Sequence, residues 1–369
     1  MGPHFWRFSL PTAIGSAALT LALIVGARGV LSGTDGDSVM QGLESELQQV
    51  FEKTKGSVVQ IKVIVPVRDD SKGELVGEGL SVGTGFFVDA AGHILTTASV
   101  LRGADRAVVY WQGKAYEARG VGNDPRTNVA LLKIEASTPP LAVENSPTPK
   151  TGSMTMVVGY PMDGPLSLEY GFISDPSYVL GLISPQETGQ APQLFATSRI
   201  RTSVRVHPGQ SGSPLLNRKG EAIGMIIYAM QDGASTFALP MAAARKIQGD
   251  LLEFHAPRHG WTGITIDIKS NELRSENQRI TVRDVFEDQP GHRAGIRPGD
   301  VLRKIGDRDI RTPDDVIDAT FYLSIGDTVN FAIERNGKAL SCPVKVASRP
   351  SDRELMALKP VSFPTTSLR

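Results

Sequence analysis

The chain has 369 residues, with 39 Lys plus Arg balanced by 39 Asp plus Glu, so the formal charge is zero and no broad electrostatic attraction to nucleic acid follows. The 38 Gly and 24 Pro are spread along the sequence, the mark of a turn-rich β protein. A single cysteine, Cys342, excludes an intrachain disulfide framework and any cysteine metal cluster. It lies in an apolar-alternating stretch and reads as a buried structural thiol.

Taken from the N-terminus, Phe8 to Ala27 carries no charge. About 20 helical residues span roughly one bilayer core. Residues 1–33 therefore read as a membrane anchor in preference to a cleaved signal peptide, and either delivers the remainder outside the cytoplasm. Ser38 to Lys55 has apolar residues at helical spacing (Met40, Leu43, Leu47, Val50, Phe51). Short β-rich runs follow at Ser57–Val65, Gly83–Val88 and Gly92–Thr97, with a hairpin turn at Asp89–Gly92, and again at Ala107–Trp111, Ala115–Ala118, Val129–Ile134 and Met154–Pro161. Ala222–Tyr228 and Ser235–Pro240 pair plausibly, and Met241–Leu252 is a helix. Many short strands with few helices indicate an all-β barrel or sandwich.

The stretch His207-Pro208-Gly209-Gln210-Ser211-Gly212-Ser213-Pro214 sets a serine between two glycines at a tight bend. Such a bend presents a nucleophilic hydroxyl, and the N–H groups of Gly209 and Ser211 form an oxyanion hole beside it. Together with Gly83-Thr84-Gly85-Phe86, Gly92-His93-Ile94-Leu95-Thr96, Asp124-Pro125-Arg126-Thr127-Asn128-Val129-Ala130-Leu131 and Gly171-Phe172-Ile173-Ser174, in this order, it resembles the HtrA/Deg family of envelope serine proteases over residues 40–348. The resemblance implies a mainly β fold: a chymotrypsin-like double β-barrel over 38–256, with the active site between the barrels. It also implies assembly as a homotrimer.

From His259-Gly260-Trp261-Thr262-Gly263-Ile264 onward, and above all at Pro290-Gly291-His292-Arg293-Ala294-Gly295-Ile296-Arg297-Pro298-Gly299-Asp300-Val301-Leu302, the chain resembles a PDZ domain, residues 257–348. Such a domain takes an extended peptide as an added strand, and the backbone near Thr262, Gly263 and Ile264 is expected to hold a terminal carboxylate. The partners implied are peptides or unfolded proteins with apolar C-termini. Residues 349–369 are polar and Pro-bearing and read as a disordered tail.

Family-type catalysis needs a histidine base and an aspartate that orients it. The family's histidine position reads Ser99 here, in Thr96-Thr97-Ala98-Ser99-Val100, and its aspartate position reads Asn128. A hydroxyl cannot take a proton near neutral pH, and an amide has no charge to stabilise an imidazolium. His207, His93 and His292 stand elsewhere, Asp124 reads as a loop cap, and no metal-ligand spacing or cofactor motif is present. The expectation is a membrane-anchored, periplasm-facing pseudoprotease that binds peptides. The alternatives are an active endopeptidase with an unrecognised base, and a scaffold in which neither cleft binds a peptide.

Overall fold

Strand Arg106–Trp111 shows why the first half of the chain closes on itself: Ala107, Val109 and Trp111 turn inward while Arg106, Val108 and Tyr110 face out. The computed structural model describes residues 35–68, 74–102, 104, 106–144, 149–162, 164–178, 197–230, 235–267 and 279–361. A helix, Asp35–Thr54, begins the described chain. Strands β1 (Val58–Arg68), β2 (Leu75–Phe87), β3 (His93–Thr97), β4 (Arg106–Trp111), β5 (Lys114–Asp124) and β6 (Val129–Lys133) form a closed barrel in the order β1-β2-β3-β6-β5-β4. Its core includes Val59, Ile61, Phe87, Ile94, Leu132 and Trp111. The Trp111 ring meets Phe87 edge-on at 5.1 Å and its Nε1 donates to Gly56 O (2.8 Å), so the aromatic body is buried and its one polar atom satisfied.

Strands β7 (Met154–Gly159), β8 (Ser167–Tyr178), β9 (Arg199–Thr202), β10 (Pro214–Leu216), β11 (Ala222–Ala229) and β12 (Thr236–Pro240) close a second barrel in the order β10-β11-β12-β9-β8-β7, around Val157, Ile173, Ile200, Leu215 and Ile226. The helix Met241–Phe254 packs on strands of both barrels through a buried stripe of Ala243, Ala244, Ile247 and Leu251. The fold is thus mainly β, two closed six-stranded barrels followed by a PDZ region.

That region holds β13 (Gly260–Trp261), β14 (Ile264–Ile266), β15 (Val282–Val285), β16 (Val301–Ile305), β17 (Arg308–Asp309), β18 (Thr328–Arg335), β19 (Lys338–Lys345) and β20 (Ala347–Ser348). A four-stranded sheet runs β17-β16-β18-β19, and among the described residues β14 pairs only with β15. The helix Pro313–Phe321 starts at a capping box, Thr312 Oγ1 accepting from Asp315 N while the Asp315 carboxylate accepts from Thr312 N. Cys342 is buried in the core with Phe331, Leu302 and Val344, and burial pushes its thiol above the usual value.

Asp318 and Asp124 are among the residues that tie the PDZ region to the barrels. Asp318, on the helix Pro313–Phe321, accepts three hydrogen bonds of 2.8 Å from Thr197 Oγ1, Ser198 N and Ser198 Oγ. Arg308 lies 3.3 Å from the same carboxylate. Asp124, at the end of β5, lies 3.1 Å from Nε2 of His259.

One expectation is corrected here. Residues 349–361 of the tail are not structureless: Ser351 caps a short helix, Asp352–Ala357, in a capping box with Glu354, and Val361 N donates to Val285 O (2.7 Å). Backbone pairing to β15 supplies what the polar composition of this segment hides. The strand read at Ala115–Ala118 also extends further, to Asp124. The apolar run Phe8–Ala27 lies outside the described residues; among the described residues no helix is long and apolar enough to cross a membrane.

Candidate active site

The serine turn is built by its own sequence. Gln210 N donates to His207 O (3.0 Å) across Pro208 and Gly209. Proline at the second position fixes one backbone angle, and glycine at the third supplies the positive φ (+95°) that a type II turn needs. Gly212 also has positive φ (+87°), and a β-carbon there would run into the Thr84 carbonyl.

Barrel one then clamps this loop of barrel two. Thr84 N donates to Ser211 O (2.9 Å) and Thr84 Oγ1 to Gly209 O (2.9 Å), while Tyr160 N donates to Thr84 Oγ1 (2.9 Å). Gly212 N and Ile226 O close the other side at 2.8 Å. Gln210 folds back, its Oε1 accepting from His207 N (2.7 Å) and its Nε2 donating to Ser167 Oγ (3.1 Å).

This clamping orients two peptide units. Pro208 O accepts from Met162 N (2.7 Å), so the Gly209 N–H of the same trans peptide points the other way. Gln210 O accepts from Ser213 N (3.1 Å), which likewise turns the Ser211 N–H aside. Neither N–H has an acceptor among the described residues. Both residues line a cavity of about 500 Å³ with Val206, His207, Ile226, Tyr228 and Met230.

Ser211 Oγ lies 3.0 Å from Thr97 Oγ1. Ser99 Oγ donates to the same Thr97 oxygen (3.1 Å), and Asn128 Nδ2 donates to Ser99 Oγ (3.2 Å) and to Ile227 O (3.2 Å). Asn128 Oδ1 takes the Ser99 N–H (2.8 Å), which holds the amide in this orientation. Asn128 has φ of +60°, a left-handed conformation that asparagine tolerates better than most residues. The fold therefore does bring Ser211, Ser99 and Asn128 together, through Thr97, a residue sequence reasoning did not single out. Its position two residues before Ser99, on the strand that the family histidine follows, was the available signal.

The network is a chain of neutral donors. With protons running from Asn128 to Ser99 to Thr97 to Ser211, each hydroxyl hydrogen is used once and the Ser211 hydrogen is left to point into the cleft. No group in the chain accepts a proton near neutral pH.

His93, His292 and His207 lie outside this hydrogen-bond network. His93 Nδ1 contacts Asp89 Oδ2 at 2.6 Å on the hairpin, and His292 Nδ1 accepts from Asp288 N (3.1 Å) in the PDZ region. His207 lines the cavity, half-exposed, with Nε2 3.9 Å from Glu169. Asp124 caps its own loop, accepting from Thr127 Oγ1 (2.7 Å) and Arg126 N (3.2 Å). Burial alone pushes the Asp124 carboxyl up, but the hydrogen bonding and charge of His259, with Thr127 and Arg126, hold it below the usual carboxylate value.

Two family models match this chain: a trypsin-like peptidase domain over residues 83–225 and a PDZ domain over 264–346. The chain joins a trypsin-like peptidase domain to one PDZ domain. Its curated relatives include proteins described as probable periplasmic serine endoproteases, DegP-like. The one from Pseudomonas fulva (strain 12-X) is 30% identical over 286 residues, 74% of this chain and 57% of the relative. The one from Ectopseudomonas mendocina (strain ymp) is 27% identical over 329 residues, 86% and 65%. The chain thus spans about three fifths of the length of these relatives. Among solved structures, the HtrA-type protease AlgW with a tripeptide superposes with a TM-score of 0.67 at 23% identity, covering 83% of this chain and 98% of that one. The serine endoprotease from Yersinia pestis gives 0.57 at 24%, covering 82% and 98%. The peptidase domain therefore has a DegP-like, HtrA-type fold, with Ser211 placed beside Thr97, Ser99 and Asn128.

At the PDZ domain's expected peptide site, Gly263 has φ of +72° and its carbonyl accepts from Phe286 N (2.9 Å). The Ile264 N–H of that peptide unit consequently faces the edge of β14 away from β15. Thr262 O accepts from Gly291 N (2.7 Å), which turns the Gly263 N–H away from Gly291. Trp261 Nε1 donates to Gln289 Oε1 (2.9 Å) and braces the loop.

Proposed function

We propose that this protein is an HtrA-like pseudoprotease of the cell envelope: it binds peptides or unfolded segments and does not cut them. One observation carries the reading. The hydrogen-bond neighbour of Ser211 Oγ is the Thr97 hydroxyl, backed by Ser99 and Asn128, so among the described residues the nucleophile has no base beside it. In serine hydrolysis, losing the histidine costs about a millionfold in turnover, or ~8 kcal/mol of transition-state stabilisation.

Peptide binding is supported by what stays intact. Among the described residues the Gly209 and Ser211 N–H groups are unclaimed and β14 has an open edge, and the cavity beside the N–H pair has apolar walls. Thr262, Gly263 and Ile264 hold the ligand's terminal carboxylate through backbone N–H groups. The relatives' description as periplasmic supports an envelope location, and Phe8–Ala27 supplies the single-pass anchor with the domains 38–256 and 257–348 on the periplasmic side. Assembly as a homotrimer belongs to the same reading.

The test is proteolysis of unfolded casein by the purified protein. Wild type and Ser211→Ala should both stay at background. Robust cleavage that disappears in Ser211→Ala overturns the reading.

A further inference from the structure

We infer that the cleft at Ser211 is a receptor for a free peptide carboxy terminus with an apolar last side chain, a ligand that resembles the product of a cleavage this chain does not perform. The inference rests on the peptide-binding reading above and specifies its ligand.

Three features of the cleft converge on a carboxylate. The first is the pair of oriented, unclaimed N–H groups of Gly209 and Ser211, joined by the Ser211 hydroxyl when Thr97 donates to it. Donors arranged for a transient oxyanion serve a permanent anion equally well when nothing else occupies them. The second is charge. Arg205 and His207 line the same cavity. Glu169, 3.9 Å from His207 Nε2, offsets part of any charge there and leaves Arg205 as the cation that counts. The third is the loss of the opposing anion. Where the family pattern has an aspartate, Asn128 is neutral, so a carboxylate beside Ser211 meets no buried negative charge across the hydroxyl chain. The replacements that remove catalysis are those that make the cleft hospitable to an anion.

The apolar last side chain follows from the walls. Val206, Ile226, Tyr228 and Met230 enclose about 500 Å³ next to the N–H pair, so the carboxylate and its side chain fit together. An internal peptide segment gives these donors only a neutral carbonyl, and hydrogen bonds to a charged group are roughly twice as strong.

Both the cleft and the PDZ domain are expected to take C-termini, so the experiment must report position. The full-length protein is irradiated with a peptide ending in photo-leucine, as the free acid or the amide, and adducts are mapped by mass spectrometry. The free acid should label residues 205–211 or 226–230, with the amide about tenfold weaker there. Arg205→Glu should lower cleft labelling by about tenfold and Arg205→Lys should keep it. Labelling at 260–266 should be unchanged in both variants and reports folding in the same sample. Equal cleft labelling by acid and amide, or unchanged labelling in Arg205→Glu, overturns the inference while peptide binding stands. Adducts confined to 260–266 overturn it and leave the PDZ reading in place. Absence of adducts at either site overturns the peptide-binding reading along with it.

Discussion

Asp318 joins the PDZ domain to the second barrel, and its removal has a calculable cost. The side chain is almost fully buried and receives three hydrogen bonds of 2.8 Å from Thr197 and Ser198, which are themselves 2% and 6% exposed. In Asp318→Ala these donors lose a charged acceptor. Each orphaned buried donor costs about 1–3 kcal/mol, and the space vacated by the carboxylate admits water that returns part of it. The net expectation is ~2–4 kcal/mol less domain docking. The Arg308 ion pair adds little to this, since Arg308 is 45% exposed and such pairs contribute about 0–1 kcal/mol. Asp318→Asn keeps the shape and one acceptor, and the Ser198 hydroxyl can turn to accept from the new amide, so it should cost only ~1 kcal/mol. Calorimetry reads this directly. The PDZ domain of Asp318→Ala should melt separately, about 10 °C or more below its wild-type transition, and the segment around residues 255–259 should become sensitive to limited proteolysis. A melting profile superimposable on wild type, or equal losses in the Asn and Ala variants, would refute the reasoning.

Other consequences follow from the site and its supports. Restoring the family pattern with Ser99→His and Asn128→Asp should give measurable casein hydrolysis, whereas either change alone should restore little, because the triad acts as a unit; hydrolysis by one single variant equal to that of the pair would contradict this. Gly212→Ala places a β-carbon against the Thr84 carbonyl at φ of +87° and should destabilise the protein by ~2–5 kcal/mol in denaturant titration. Because Asp124 is held below its unfolded value of 3.8, its contribution to stability is present above that pH and is lost as pH falls through the lower folded value. Asp124→Asn should accordingly flatten the stability profile below about pH 4, measured by urea midpoint against pH, and an unchanged acid limb would remove Asp124 from the account. A protein anchored through Phe8–Ala27 should stay with membranes through an alkaline carbonate wash; recovery of a soluble form beginning near residue 28 would show cleavage.

Much of the fold was legible in the chain because it is written in local patterns. Alternating apolar residues in Ala107–Trp111, the continuous apolar run of β11, the turn residues between the strands, and Pro208-Gly209 at the serine bend each act over a few positions, where backbone sterics and side-chain burial decide the outcome. The residues at the family's histidine and aspartate positions, Ser99 and Asn128, are also legible from the aligned motifs alone, as an expectation that the casein assay tests.

Three things were decided only by the tertiary structure. Thr97 became the partner of Ser211 because β3 and the serine loop meet, 114 residues apart in sequence. Asp124 reads locally as a loop cap and Asp318 carries no local signal, yet both tie the PDZ domain to the barrels through partners 120 and more residues away. The tail at 349–361 reads as polar coil, and β15 gives it order. In each case the deciding group is a hydrogen-bonding or charged atom whose partner lies far along the chain. Local sequence fixes which donors and acceptors exist; chain closure determines which of them meet.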